Sequence, residues 1–175
     1  MYVSGYSLLL EGKAQALLDC LLALPREITV VFDPGPLVKA PDSALMVALL
    51  PRIDIWTSNG PEALAFTGAG TLADALLELN RHLPAEALRV LRDGPNGCWV
   101  SRQGQAEHVP GFNVTAVDSN GAGDAHAGVF LAGLAKGLQP SQAARRANAA
   151  AALAVTRWGP ATSPGTDEVD ALLAE

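Results

Sequence analysis

The residues best suited to chemistry stand close together, at Asp118-Ser119-Asn120-Gly121-Ala122-Gly123-Asp124. Gly121, Ala122 and Gly123 open a predicted helix from about Asp124 to Lys136, so its first N–H groups are uncovered. A helix end of this kind carries partial positive charge and binds anions, phosphate above all. A carboxylate at the same end repels a simple phosphate ligand. It makes sense where the carboxylate faces a hydroxyl that attacks the phosphate: the acid takes the proton, and the N–H groups stabilise charge on the group in transfer. From the residues alone a second account stands beside this one, in which Asp124 is an ordinary capping acid after a glycine turn.

Other chemistries lack their residues. No Gly-x-x-x-x-Gly-Lys-Ser/Thr is present, which rules out a P-loop. Gly121-x-Gly123 lacks a third glycine at the required spacing and carries an acid inside the turn, so it makes a poor dinucleotide fingerprint. Ser4 and Ser7 flank Gly5 without the full pattern of a hydrolase elbow. Cys20 and Cys98 read as buried small hydrophobes rather than a disulfide, and no metal-ligand spacing joins them to His82, His108 or His126. The histidines read as surface or packing residues. A net charge of −6, with no run of Lys or Arg, argues against a nucleic-acid surface. The apolar runs fall short of the ~20 residues that span a bilayer, and no leader pattern opens the chain. A cytoplasmic protein is expected, with no membrane partner.

The elements that must position Asp124 follow from hydrophobic period and punctuation. Apolar positions recur at helical spacing from about Lys13 to Leu24, where Pro25 stops them. Ile28 to Phe32 is a β-branched run that leaves through Asp33-Pro34-Gly35-Pro36, the pattern of a buried strand. A helix is predicted from about Ser43 to Leu50, halted by Pro51, and a short strand over 53–56. Pro61 suits the first turn of a helix through Phe66, and Thr71 caps another to about Leu83. Leu88 to Leu91 reads as a strand. Cys98–Ser101 and Ala106–Val109 read as a hairpin around Gln103-Gly104. The alanine-rich stretch Ser141–Thr156 predicts a helix packed close to a neighbour, and a last short helix ends at Leu173. Alternating strands and helices with buried strands predict an α/β protein with a mainly parallel sheet. The 175 residues suit one domain, 1–175.

Asp-x-x-Gly-Ala-Gly-Asp before a small-residue helix resembles the second signature of the PfkB family of carbohydrate kinases, the ribokinase-like kinases. The resemblance implies Asp124 as catalytic base and the backbone of Gly121, Ala122 and Gly123 as the anion hole for the transferred phosphoryl group. It implies a three-layer fold, a sheet flanked by helices. His126 departs from the family's usual Phe, and Val129 from its usual small residue. Asn59-Gly60-Pro61-Glu62 is similar to the family's Asn-x-x-Glu motif, which implies Asn59 near the nucleotide phosphates and Glu62 holding Mg²⁺ through water; magnesium keeps its water and takes few carboxylates, so one Glu is adequate. Arg92-Asp93-Gly94-Pro95-Asn96-Gly97 resembles the glycine turn lining the nucleotide site. Arg92 stands where the family has Thr and could reach phosphate instead. The segment from Ala147 to Gly159 is similar to the C-terminal part of ribokinases. It implies Asn148 near the adenine, and Asp118, Asn120, Ala154, Arg157, Gly159 and Ser163 around a monovalent cation such as K⁺, largely through backbone carbonyls.

The resemblance runs along nearly the whole chain but to the family's C-terminal portion alone. The part that supplies the first strands, the lid and most sugar contacts has no counterpart, so the fold is expected to be incomplete and to expose sheet edge or apolar surface. The expected activity is ATP-dependent phosphorylation of an alcohol group on a sugar or related small molecule. The alternative is a non-catalytic nucleotide-binding remnant, or one part of a split kinase. The expected partners are the sugar-like substrate and either a second copy, as a homodimer, or a complementary N-terminal chain.

Overall fold

A computed structural model describes residues 1–8, 12–35 and 43–175; Pro36, which the sequence reading placed in a loop, lies outside them. Six strands form one sheet in chain order: β1 (Tyr2–Ser4), β2 (Val31–Asp33), β3 (Ile55–Asn59), β4 (Leu88–Arg92), β5 (Gly97–Arg102) and β6 (Gln105–Pro110). β1 and β2 run parallel with Val3 opposite Phe32, and β2 and β3 run parallel with Phe32 opposite Trp56. Parallel neighbours need a crossover. It is supplied by α1 (Ala14–Ala23) and α2 (Ala44–Leu49), and α3 (Gly60–Thr67) and α4 (Leu72–His82) connect β3 to β4. β5 and β6 are joined by Gln103 and Gly104, whose φ values of 52° and 75° give the two left-handed residues of a tight hairpin turn. The helices α5 (Ala122–Ala135), α6 (Pro140–Val155) and α7 (Thr166–Ala174) complete the chain. The described residues cluster into two compact units, one of Met1–Leu91 with Ser101–Ala106, the other of Arg92–Val100 with Glu107–Glu175.

In the first unit the punctuation acts as expected. Ser43 accepts the Met46 N–H at 3.3 Å to start α2, and Thr71 accepts the Asp74 N–H at 3.1 Å to start α4. Gly68, which the sequence pattern does not single out, is left-handed at φ 71° and ends α3. The core stacks Phe32 edge-on to Trp56, with centroids 5.6 Å apart, and Trp56 on Phe66 at 4.7 Å. All three rings are buried, each contributing on the order of 2–3 kcal/mol by leaving water.

The strand predicted over 28–32 starts later, at Val31. The cause lies beyond the local pattern: Arg52, buried, donates to the carbonyls of Ile28 (2.6 Å) and Pro25 (3.2 Å), and the carboxylate of Asp54 accepts the Val30 N–H at 2.7 Å. Side chains take the backbone groups that a sheet ladder would have used. The strand expected over 53–56 is shifted to Ile55–Asn59. Cys20 also differs from expectation. It is exposed on α1, while Cys98 is buried; both thiols are free.

In the second unit α6 lies against α5 through small residues. A Cβ added to Gly133 would stand 2.9 Å from the Cβ of Ala143, which is itself buried. Val169 of α7 joins Ala149 and Ala150 of α6 in a further apolar cluster. The expected open edge is met at β1. It has one strand neighbour among the described residues, and Met1, Tyr2 and Tyr6 beside it are exposed. No helix among the described residues is long and apolar enough to cross a membrane.

Candidate functional site

The start of α5 is built by what folds against it. Gly121 is its N-cap, left-handed at φ 76°, and a Cβ there would collide with the Pro160 carbonyl. Upstream, the N–H groups of Val117 and Asp118 both donate to the Val155 carbonyl at the end of α6, at 2.7 and 3.1 Å. The Asp118 carboxylate accepts the N–H of Asn120 and of Gly159, each at 3.0 Å. These two donors, Asn120 first, hold its carboxyl below the usual range. The turn is therefore braced by α6 and by the loop after it. No side chain caps α5, and Asp124 stands exposed in its first turn. The Arg92 guanidinium, at the end of β4, lies alongside, with its Cζ and Nη2 3.7 Å from where a Cβ on Gly123 would be. One exposed carboxylate, an uncapped helix start and a guanidinium share this corner of the second unit. Such a corner can hold an anion against the N–H groups and the cation while the carboxylate accepts a proton from a hydroxyl.

The turn at Asp93–Gly97 belongs to the same unit. Asp93 N–H donates to the Gly97 carbonyl at 2.7 Å and Asn96 N–H to the Asp93 carbonyl at 3.1 Å. Gly97 has φ 99°, and a Cβ on it would strike the Val109 carbonyl, so β6 must pass directly behind it. Gly94, Pro95 and Asn96 are exposed.

Asn148, expected near the adenine, has its amide engaged within the second unit. It is buried on α6, and its amide nitrogen donates to the carbonyls of Val109 (3.0 Å) and Pro110 (3.1 Å). Both amide hydrogens are spent, so no donor remains for a base. Its oxygen meets Nε2 of His126 at 3.1 Å. His126, read from sequence as a surface or packing residue, is buried within α5 and stacked on Phe130. Burial, and after it the charge of Arg92, pushes its imidazole down to about 3, against a weaker opposing effect from Asn148. Burial likewise pushes the Cys98 thiol up to about 12, although Asn148 and Arg92 oppose it. That thiol is inert at neutral pH.

Asn59 and Glu62 lie in the first unit, locked to each other. Asn59 Oδ1 accepts the Glu62 N–H, and Glu62 Oε2 accepts the Asn59 N–H, both at 2.8 Å. This is a capping box that closes the start of α3. Glu62 is half-buried, and magnesium, which keeps its water, takes few protein carboxylates. Among the described residues no group of three or more His, Cys, Asp or Glu could hold a metal directly.

The residues expected around K⁺ converge in part. Asp118, Asn120, Ala154 and Gly159 meet at the end of α6. However, the Thr162 hydroxyl donates to the Ala154 carbonyl at 3.0 Å and lies 3.3 Å from that of Gly159. The Ala154 carbonyl also accepts the Arg157 N–H at 3.2 Å. A carbonyl has two lone pairs, and both are engaged. Arg157 is paired with Glu168, and Ser163 is exposed. The Ala154 carbonyl is thus committed to protein donors, and of the expected set it is the oxygen so engaged. Thr162 had no signal in the sequence beyond its place beside Ser163; the Asn148 network had one, the His126 that replaces a usual Phe.

Residues 1–167 match the profile of the pfkB family of carbohydrate kinases. The sugar kinase YegV of Escherichia coli K12, itself described as uncharacterized, is 29% identical over 171 residues, which cover 97% of this chain and 53% of that protein. The ribokinase of Haemophilus influenzae is 33% identical over 152 residues, 81% of this chain and 46% of that protein. The solved aminoimidazole riboside kinase from Salmonella enterica, complexed with aminoimidazole riboside and an ATP analog, superposes at a TM-score of 0.85 with 25% identity, covering 99% of this chain and 62% of that one. The chain thus spans about half the length of the curated relatives it matches. With the ribokinase-like α/β fold and the matched Asp-x-x-Gly-Ala-Gly-Asp turn on one scaffold, the chain belongs to the pfkB family of carbohydrate kinases.

Proposed function

We propose that this chain is the nucleotide-binding and catalytic portion of an ATP-dependent kinase that phosphorylates an alcohol group on a sugar or related small molecule. The observation that carries the reading is the start of α5, which no side chain caps, with the exposed Asp124 and the guanidinium of Arg92 beside Gly123. Asp124 accepts the proton of the substrate hydroxyl, whose oxygen attacks the γ-phosphorus as its bond to the β–γ bridging oxygen breaks and ADP leaves. The backbone of Gly121, Ala122 and Gly123, with Arg92, offsets the charge on the phosphoryl group in transfer. The turn Asp93–Gly97 lines the nucleotide. Mg²⁺, when bound, neutralises phosphate charge, and Glu62 is the residue to hold it through water, with Asn59 fixing that carboxylate through the capping box.

The test is Asp124→Asn in a kinase assay over a panel of sugars, with ATP-Mg²⁺ binding measured in parallel. Turnover is expected to fall by ~10²–10⁴-fold with binding unchanged. Near-normal turnover removes Asp124 as the base. The span of about half the relatives' length favours a second reading, a nucleotide-binding remnant or one chain of a split kinase. ATP binding by the wild-type chain without turnover on any sugar selects that one.

A further inference from the structure

A path of hydrogen bonds joins the two turns proposed to bind nucleotide, and it passes through a residue with no role in that proposal. His126 sits two residues beyond Asp124, and its Nε2 lies 3.1 Å from Asn148 Oδ1. Asn148 donates to the Val109 and Pro110 carbonyls at the end of β6, at 3.0 and 3.1 Å. The next residue, Gly111, donates its N–H to the Asn96 carbonyl at 3.1 Å, inside the turn Asp93–Gly97. β6 also passes so close behind Gly97 that a side chain there would strike Val109. The first turn of α5 is therefore linked to the glycine turn through α6 and β6, all within the second unit.

The proton positions follow from the acceptors. Both Asn148 amide hydrogens go to carbonyls, so its Oδ1 faces the imidazole and must receive a hydrogen there. His126 Nε2 carries the proton and Nδ1 is bare. Nδ1 is buried with no hydrogen-bond partner. A buried acceptor left unmet is a cost. A phenylalanine at this position would avoid that cost but would have no donor for Asn148.

We infer that His126 is a positioning residue: its Nε2–H holds Asn148 against β6 and thereby fixes the spacing between the glycine turn and the start of α5. The inference rests on the proposed nucleotide role of those two turns. It is tested by calorimetry of ATP-Mg²⁺ binding and by thermal unfolding of the wild-type chain, His126→Phe and His126→Gln. Phenylalanine keeps the ring and its stacking on Phe130 but cannot donate. Glutamine carries an amide N–H at the reach of Nε2. His126→Phe is expected to bind ATP-Mg²⁺ about ten-fold more weakly, the scale of one buried hydrogen bond, with Tm equal to or above wild type. His126→Gln is expected to bind within about three-fold of wild type, since the same bond survives. A packing role alone would move Tm without this split. Equal affinity in wild type and His126→Phe overturns the inference and leaves the proposed function standing, as does a His126→Gln affinity as weak as that of His126→Phe. A folded wild-type chain that binds no ATP-Mg²⁺ overturns both.

Discussion

Two helix starts in this chain carry an acid in the first turn, and they use it in opposite ways. At α3, Glu62 turns back to its own cap: the carboxylate takes the Asn59 N–H while Asn59 takes that of Glu62. At α5 no side chain caps the helix, and Asp124 stays exposed above a turn made of Gly121, Ala122 and Gly123. The first arrangement uses the helix's orphan donors for stability. The second spends no side chain on them, although the Ala122 N–H donates to the Ser119 carbonyl at 3.3 Å, and rigidity comes from outside, through Pro160 against Gly121 and the Gly159 N–H on Asp118. An acid near a helix N-terminus thus acquires its meaning from whether the backbone donors around it are already taken.

The comparison can be broken by experiment, most strongly through the turnover loss expected of Asp124→Asn. Next comes the acid response of the support behind α5. His126 is held neutral in the folded chain down to about pH 3, whereas unfolded histidine protonates near pH 6.5. Its contribution is complete above about pH 6.5 and is lost as pH falls towards 3, because there the unfolded chain binds the extra proton. Denaturant titrations should show stability falling by up to about 1.4 kcal/mol per pH unit in this window. His126→Phe should remove that part of the slope. If wild type and variant share one slope, the buried imidazole is misassigned.

Smaller effects separate the two helix starts directly. Gly121→Ala puts a Cβ on a left-handed residue against the Pro160 carbonyl, so a loss of about 1–3 kcal/mol is expected, read as a drop of about 2–4 °C in Tm for each kcal/mol. Asn59→Ala removes half the α3 capping box and should cost about 1 kcal/mol in a urea titration. An Asn59→Ala loss larger than that of Gly121→Ala would reverse the contrast, making α3 the more strained start.

What the sequence makes legible follows the range of the forces. Helix ends are set by neighbours in the chain, so Pro25, Ser43 and Thr71 mark them correctly. The α5 turn is legible for the same reason, as a contiguous run of small residues and an acid. The strand at 28–32 is misjudged because Arg52 and Asp54, distant in sequence, take its backbone groups. The partners of Asn148 are illegible for the same reason, because the carbonyls that take its amide belong to β6. The Asn59-x-x-Glu62 spacing was in plain view, and it has two meanings: a local cap, which the structure shows, and a metal ligand, which it leaves to experiment.

The bracing of the α5 turn has a consequence for how the chain matures on the ribosome. Synthesis runs from the N-terminus, so α5 emerges before the residues that pin its start. Gly121 finds Pro160, and Asp118 finds the Gly159 N–H, only after all of α6 has been made. A nascent chain released before Gly159 would own the helix without its anchored mouth. Protection of that segment from proteases should therefore arrive as one step, once residues 159 and 160 have left the ribosome.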